Sequence, residues 1–118
     1  MIAHIVLFRP RPDLSVEERE ALANAFLEAL NKIPSIRRAR VGMRITTGRP
    51  YERLMRSDYP YAAVLEFDDR DGLMAYLEHP AHDELGSRVY SAFAEALMYD
   101  FELREGQAGV AGLRSGRT

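Results

Sequence analysis

Tyr76 and the run His79-Pro80-Ala81-His82 bring a phenol and two imidazoles close together in the chain, and the run holds two of its three histidines. The third, His4, lies far away, inside the apolar stretch Ile2-Ala3-His4-Ile5-Val6-Leu7-Phe8. A neutral imidazole, with an ordinary pKa of ~6.5, can take a proton from an acidic methylene held between two carbonyls. A phenol hydroxyl beside it can donate a hydrogen bond to the enolate or oxyanion that follows. The same residues admit a plainer arrangement, in which His82 caps a helix or bonds a carbonyl and Tyr76 packs with its hydroxyl wet. His79 reads as an exposed corner residue. His4, His82 and Asp100 would make a ligand set of two imidazoles and a carboxylate if they converged, although they lack the compact spacing of strong metal motifs. Orienting a histidine is the more ordinary task for Asp100.

Bulk properties limit what else the chain can be. Its 118 residues suit one domain with a real core. A 47% hydrophobic and 29% charged composition is that of an ordinary globular chain. No apolar run approaches the ~20 residues that span a bilayer, so no membrane partner is expected. The opening Met1-Ile2-Ala3-His4 has no basic stretch ahead of its apolar run, which argues against a signal peptide. The absence of cysteine removes disulfides and thiolate chemistry and fits a cytoplasmic setting. A formal charge of −2 points away from nucleic acid. Apart from Lys32 the basic residues are all arginine, which makes a catalytic lysine a poor expectation.

The elements that must position these groups follow from periodicity. Residues 2–9 form a short β-branched run, predicting a strand buried on both faces. Ser15 and Glu18 form a capping box ahead of a helix whose stripe is Leu22, Phe26, Ala29, Leu30 and Ile33, closed by Pro34. Residues 36–46 alternate, with Ala39, Val41, Met43 and Ile45 on one side and Arg38, Arg40 and Arg44 on the other. Residues 47–60 read as a loop in which Tyr51, Arg53 and Arg56 could form a lid. Residues 61–67 are a third strand. Asp68, Asp69 and Asp71 open a helix through about His79. Pro80 starts another, continued by Leu85, Val89, Ala92, Phe93 and Ala96. Residues 96–103 form the last strand. The tail, residues 104–118, is Gly-rich and aperiodic, which predicts a mobile end or one lying along a partner.

The order β-α-β-β-α-β predicts an α+β, ferredoxin-like fold: a four-stranded antiparallel sheet with helices on one face. Ile2, His4, Val6, Phe8, then Ala39, Val41, Met43 and Ile45, then Tyr61, Ala63, Leu65, Phe67, Ala96, Met98 and Asp100 fall on the helix side. The reverse side carries Ala3, Ile5, Leu7, Ala62, Val64, Leu97, Tyr99 and Phe101, with Arg40, Arg44 and Glu66 among them. Such an apolar face exceeds what a monomer leaves in water, so a homodimer through the sheet face is expected, with those charges paired or at its rim. The arginines of 37–44 could also bind phosphate or carboxylate, but alternation more often marks a polar face.

The opening "MIAHIVLF", the central hairpin, "YLEHPAH" and the closing "YDFEL" together resemble the stress-responsive A/B barrel (Dabb) family of dimeric α/β barrels, over residues 1–103. Many of its members have no defined activity. Membership implies a homodimer, here binding a small apolar or carbonyl-containing molecule in a cleft between helices and sheet. The alternative it implies is a polyketide cyclase similar to plant olivetolic acid cyclase, closing a poly-β-keto chain by aldol condensation without cofactor or metal. By that resemblance the catalytic pair falls on His82, the base, and Tyr76, the hydrogen-bond donor, and His4 lines the same pocket. Phe26 stands where the cyclase has a tyrosine and Phe93 where it has a tryptophan, so both would contact substrate in a more apolar pocket. A cofactorless monooxygenase is a third and weaker reading.

Overall fold

A computed structural model describes residues 1–116. Strand β1 (Ile2–Pro10) leads into helix α1 (Val16–Lys32), and Ser15 starts that helix as its sequence foretells. The Ser15 hydroxyl accepts from the Glu18 amide at 3.1 Å and the Glu18 carboxylate accepts from the Ser15 amide at 3.1 Å. Two amides that the first helical turn cannot satisfy are thereby paired. Strand β2 (Arg38–Met43) and a 3-10 turn (Pro50–Leu54) precede β3 (Tyr61–Phe67). Helix α2 (Arg70–Glu78) is capped by Asp69, whose carboxylate accepts from the Gly72 amide at 2.8 Å. Helix α3 (Pro80–Ala92), β4 (Phe93–Glu102) and helix α4 (Gly106–Ser115) complete the chain.

The strands make one antiparallel sheet in the order β2-β3-β1-β4. This is the ferredoxin-like arrangement that the element order implies. On the helix side Val6, Phe8, Ala63, Leu65 and Phe67 are buried against Ala25 and Ala29 of α1, Ile33 at its C-terminal cap, Leu73 and Tyr76 of α2 and Leu85 of α3. Burial of each large apolar side chain stabilises the fold by about 1.5–3 kcal/mol before entropy is counted.

Several boundaries and exposures differ from the sequence reading. The last strand begins at Phe93 rather than Ala96, because β1 continues to Pro10 and pairs back as far as Phe93. Phe93 there stacks on Phe8 at 4.4 Å and 7°. Strand β1 is covered on one face only: Ile5 and Leu7 on the reverse side stay half-buried. The helices also fail to cover β2. Its helix-side residues Val41 and Met43 are 52% and 73% exposed, and Ile45 lies beyond the strand. Among the reverse-face charges, Arg40 pairs with Glu66 at 3.3 Å and Arg44 with Asp58 at 2.6 Å. The tail is helical over Gly106–Ser115, contrary to an aperiodic end, while its last two residues lie outside the described residues.

Candidate functional site

Strand register explains the first contact of the site. His4 on β1 is opposite Asp100 on β4 and Leu65 on β3, so the imidazole and carboxylate share the helix side of the sheet. Directly opposed residues bring their Cβ atoms to about 5 Å. The pair closes with His4 Nδ1 to Asp100 Oδ1 at 2.6 Å. An ionised carboxylate only accepts, so Nδ1 carries the proton and Nε2 of a neutral His4 keeps its lone pair. His4 is 6% exposed, and Asp100 supplies the partner that burial requires.

Helix α2 sets Tyr76 above this pair. Its ring lies 5.6 Å from that of His4 and 5.3 Å from that of Phe67. The break between α2 and α3 then turns His82 back toward it, with the Tyr76 and His82 rings edge-on at 4.7 Å. His79 makes that turn. It is half-buried, and its Nδ1 accepts from the Ala81 amide at 3.0 Å as the cap of α3. The cap is therefore His79, neither an idle corner residue nor His82; His82 lines the cavity with the Leu77 backbone beside its ring.

His4, Tyr76, His82, Phe26 and Phe93 all line one cavity of about 230 Å³ between the helices and the sheet. The rest of its wall is apolar, Val6, Leu65, Leu85, Val89 and Met98 among others, except for the exposed Tyr90. Leu85, Gly86 and Val89 went unassigned to the site in the sequence, yet they follow His82 at helical spacing of three, four and seven residues. Met98 precedes Asp100 by two on the same strand face, which is an equally readable signal. Phe26 and Phe93 both stack on Phe8, at 6.1 and 4.4 Å, and so close the far end. Tyr51, Arg53 and Arg56 are not among the lining residues.

Electrostatics hold the two central groups in their neutral forms. Burial lowers the His82 pKa and the nearby His4 lowers it further, while the Asp83 carboxylate and a hydrogen bond to the Leu77 backbone oppose both. Burial, helped by the Asp100 carboxylate, pushes the Tyr76 phenol up to about 12. At neutral pH the cavity thus presents an imidazole able to accept a proton and a hydroxyl able to donate a hydrogen bond. Asp100 is engaged with His4, and among the described residues no group of three or more His, Cys, Asp or Glu is arranged to hold a metal.

With this geometry in view, the comparisons place the chain. The model of the Stress Responsive A/B Barrel Domain matches residues 2–103, and the chain belongs to that family. An uncharacterized protein of Streptomyces coelicolor is 33% identical over 104 residues, 86% of this chain and 99% of that protein. A dimeric ferredoxin-like protein of unknown function from Thermobifida fusca superposes with a TM-score of 0.66 at 25% identity, covering 86% of this chain and 90% of its own. Another, from Bacteroides fragilis, gives 0.60 at 31% identity and covers 86% and 95%. Both relatives are described as dimeric. No helix among the described residues is long and apolar enough to cross a membrane.

Proposed function

We propose that the protein is a homodimer, joined through the reverse face of its sheets, that binds a small and largely apolar molecule bearing a carbonyl group. One observation carries the reading: Tyr76, His82 and an Asp100-held His4 cluster within ring distances of 5.6 and 4.7 Å in the lining of a largely apolar cavity. A volume of about 230 Å³ corresponds to roughly eight waters, so the ligand is small. The neutral Tyr76 hydroxyl donates to its carbonyl oxygen, and the aromatic end formed by Phe26 and Phe93 takes its apolar part.

The test is thermal unfolding with a panel of β-diketones running from acetylacetone to benzoylacetone. A ligand at 100 times its Kd stabilises the wild type by about 2.7 kcal/mol, a rise of several degrees in Tm. Tyr76→Phe keeps the ring and should lose most of that rise. If no member of the panel raises the wild-type Tm, the binding reading fails.

The second reading is catalytic, with His82 as base and Tyr76 as donor in a cofactor-independent, cyclase-like aldol condensation. The lowered His82 pKa and the 4.7 Å spacing of the two rings favour it. Family membership carries no defined reaction, which leaves binding ahead. With a reactive β-polyketone, His82→Ala would lower turnover by roughly 10²–10⁴-fold.

A further inference from the structure

Helix α3 contains a glycine that its packing does not explain. Gly86 sits in the middle of Pro80–Ala92, where glycine in place of alanine lowers the folding equilibrium by about fivefold. A helical glycine is accounted for when a neighbour crowds it, as at Gly72 of α2. A Cβ added at Gly72 would meet the Phe67 Cβ at 3.4 Å and the Asp69 carboxylate at 3.5 Å. At Gly86 a Cβ would meet no neighbouring element within 4 Å, so neither α1 nor the sheet needs the space. That space borders the cavity, whose wall Gly86 shares with Tyr76 and His82. One helical turn further along the same face stands Tyr90. It too lines the cavity, yet it is 92% exposed, so the cavity reaches the surface at this rim of α3. Tyr90 buries little of itself, and its ring offers a flat apolar face at the cavity edge. The sheet-to-sheet dimer leaves that face uncovered, because α3 packs on the opposite side of the sheet.

We propose that Gly86 and Tyr90 form the doorway of the cavity and set its specificity. The ligand is a β-dicarbonyl compound with two aromatic arms, one held inside and the other leaving over Gly86 to stack on Tyr90. The inference rests on the carbonyl-binding reading above and names the ligand class within it. The enclosed volume of about 230 Å³ takes the dicarbonyl, beside Tyr76 and His82, and the inner arm, beside Phe26 and Phe93. The outer arm is limited only by what stands over position 86. A flat ring passes where backbone alone forms the sill, and a branched side chain there obstructs it. Beyond the sill, an offset stack on the Tyr90 ring holds the outer arm and favours a second aromatic group over a methyl.

Dibenzoylmethane carries two such arms and benzoylacetone one, so the ratio of their affinities reads the doorway. In titrations of the full-length protein, followed by the ultraviolet absorbance of each diketone, the wild type should bind dibenzoylmethane about tenfold more tightly. Gly86→Leu should remove that preference by filling the sill. Tyr90→Ala, at an exposed site, should remove it without filling anything. Gly86→Ala should raise the urea midpoint of the free protein, because alanine holds the helix better and meets no neighbour. Equal wild-type affinity for the two diketones, or a preference that survives either Gly86→Leu or Tyr90→Ala, overturns the doorway while the binding reading stands. A lower urea midpoint for Gly86→Ala overturns it as well, since the glycine would then belong to the fold. If neither diketone binds the wild type, the doorway and the binding reading fall together.

Discussion

The two faces of the same sheet meet opposite fates, although both are apolar. On the helix side Phe67 is fully buried and the aromatic rings of Phe8, Phe26 and Phe93 stack on one another. On the reverse side Tyr99 is 53% and Phe101 47% exposed, and among the described residues their aromatic neighbours are each other, at 6.1 Å. Strand alternation supplies both surfaces from alternate residues of β1, β3 and β4, but the helices complete only one of them. The completed face can hold a shaped cavity and fix a buried histidine. The open face has no such chemistry, and what it offers is area for a second copy.

Substitutions on the two faces should separate these roles. Phe67→Ala empties a fully buried site and should cost about 3–5 kcal/mol of folding stability, read as a lower urea midpoint. Val64→Asp, on the open face, should leave the folded protomer intact. It should weaken self-association by roughly 100-fold or more, read by sedimentation, because the dimer would bury an added carboxylate whose cross-strand neighbour, Arg40, is already paired with Glu66. If Val64→Asp associates like the wild type, the open face is not the interface. Ser15→Ala lies on neither face and removes only one side of the α1 capping box. Its cost should be near 1 kcal/mol, with ligand binding unchanged.

Much of this was legible in the sequence because it rests on short-range patterns. The capping box at Ser15, the break at Pro80 and the strand alternation name the elements and the face each residue takes. His4 and Asp100 could be assigned to one face from alternation, but their pairing depends on the β1–β4 register, which no local pattern specifies. The role of His79 was hidden for a related reason. Histidine is an uncommon cap, and only the backbone path into α3 shows that its Nδ1 meets the Ala81 amide. Phe93 was misplaced because its spacing from Val89 also suits a helix, and stacking on Phe8 decides for the strand. The exposure of Val41 and Met43 depends on how far α1 extends across the sheet, a tertiary fact. Helix α4 was missed because its glycines carry a strong loop signal.

The central claim is that the helix-covered face, and not the corner beside it, is the ligand site, and the three histidines report on it separately. Their ring resonances can be followed by NMR as a function of pH and then with added benzoylacetone. The account predicts that His82 titrates below ~6.5, since burial opposes its charged form. Above ~6.5 its contribution to stability is whole; it is lost as pH falls from there through the folded pKa, because the unfolded chain binds the proton more readily. On adding the diketone at neutral pH, the His4 and His82 resonances should shift together while His79, occupied as a cap, stays in place. A His79 shift with His4 and His82 unmoved would contradict the account.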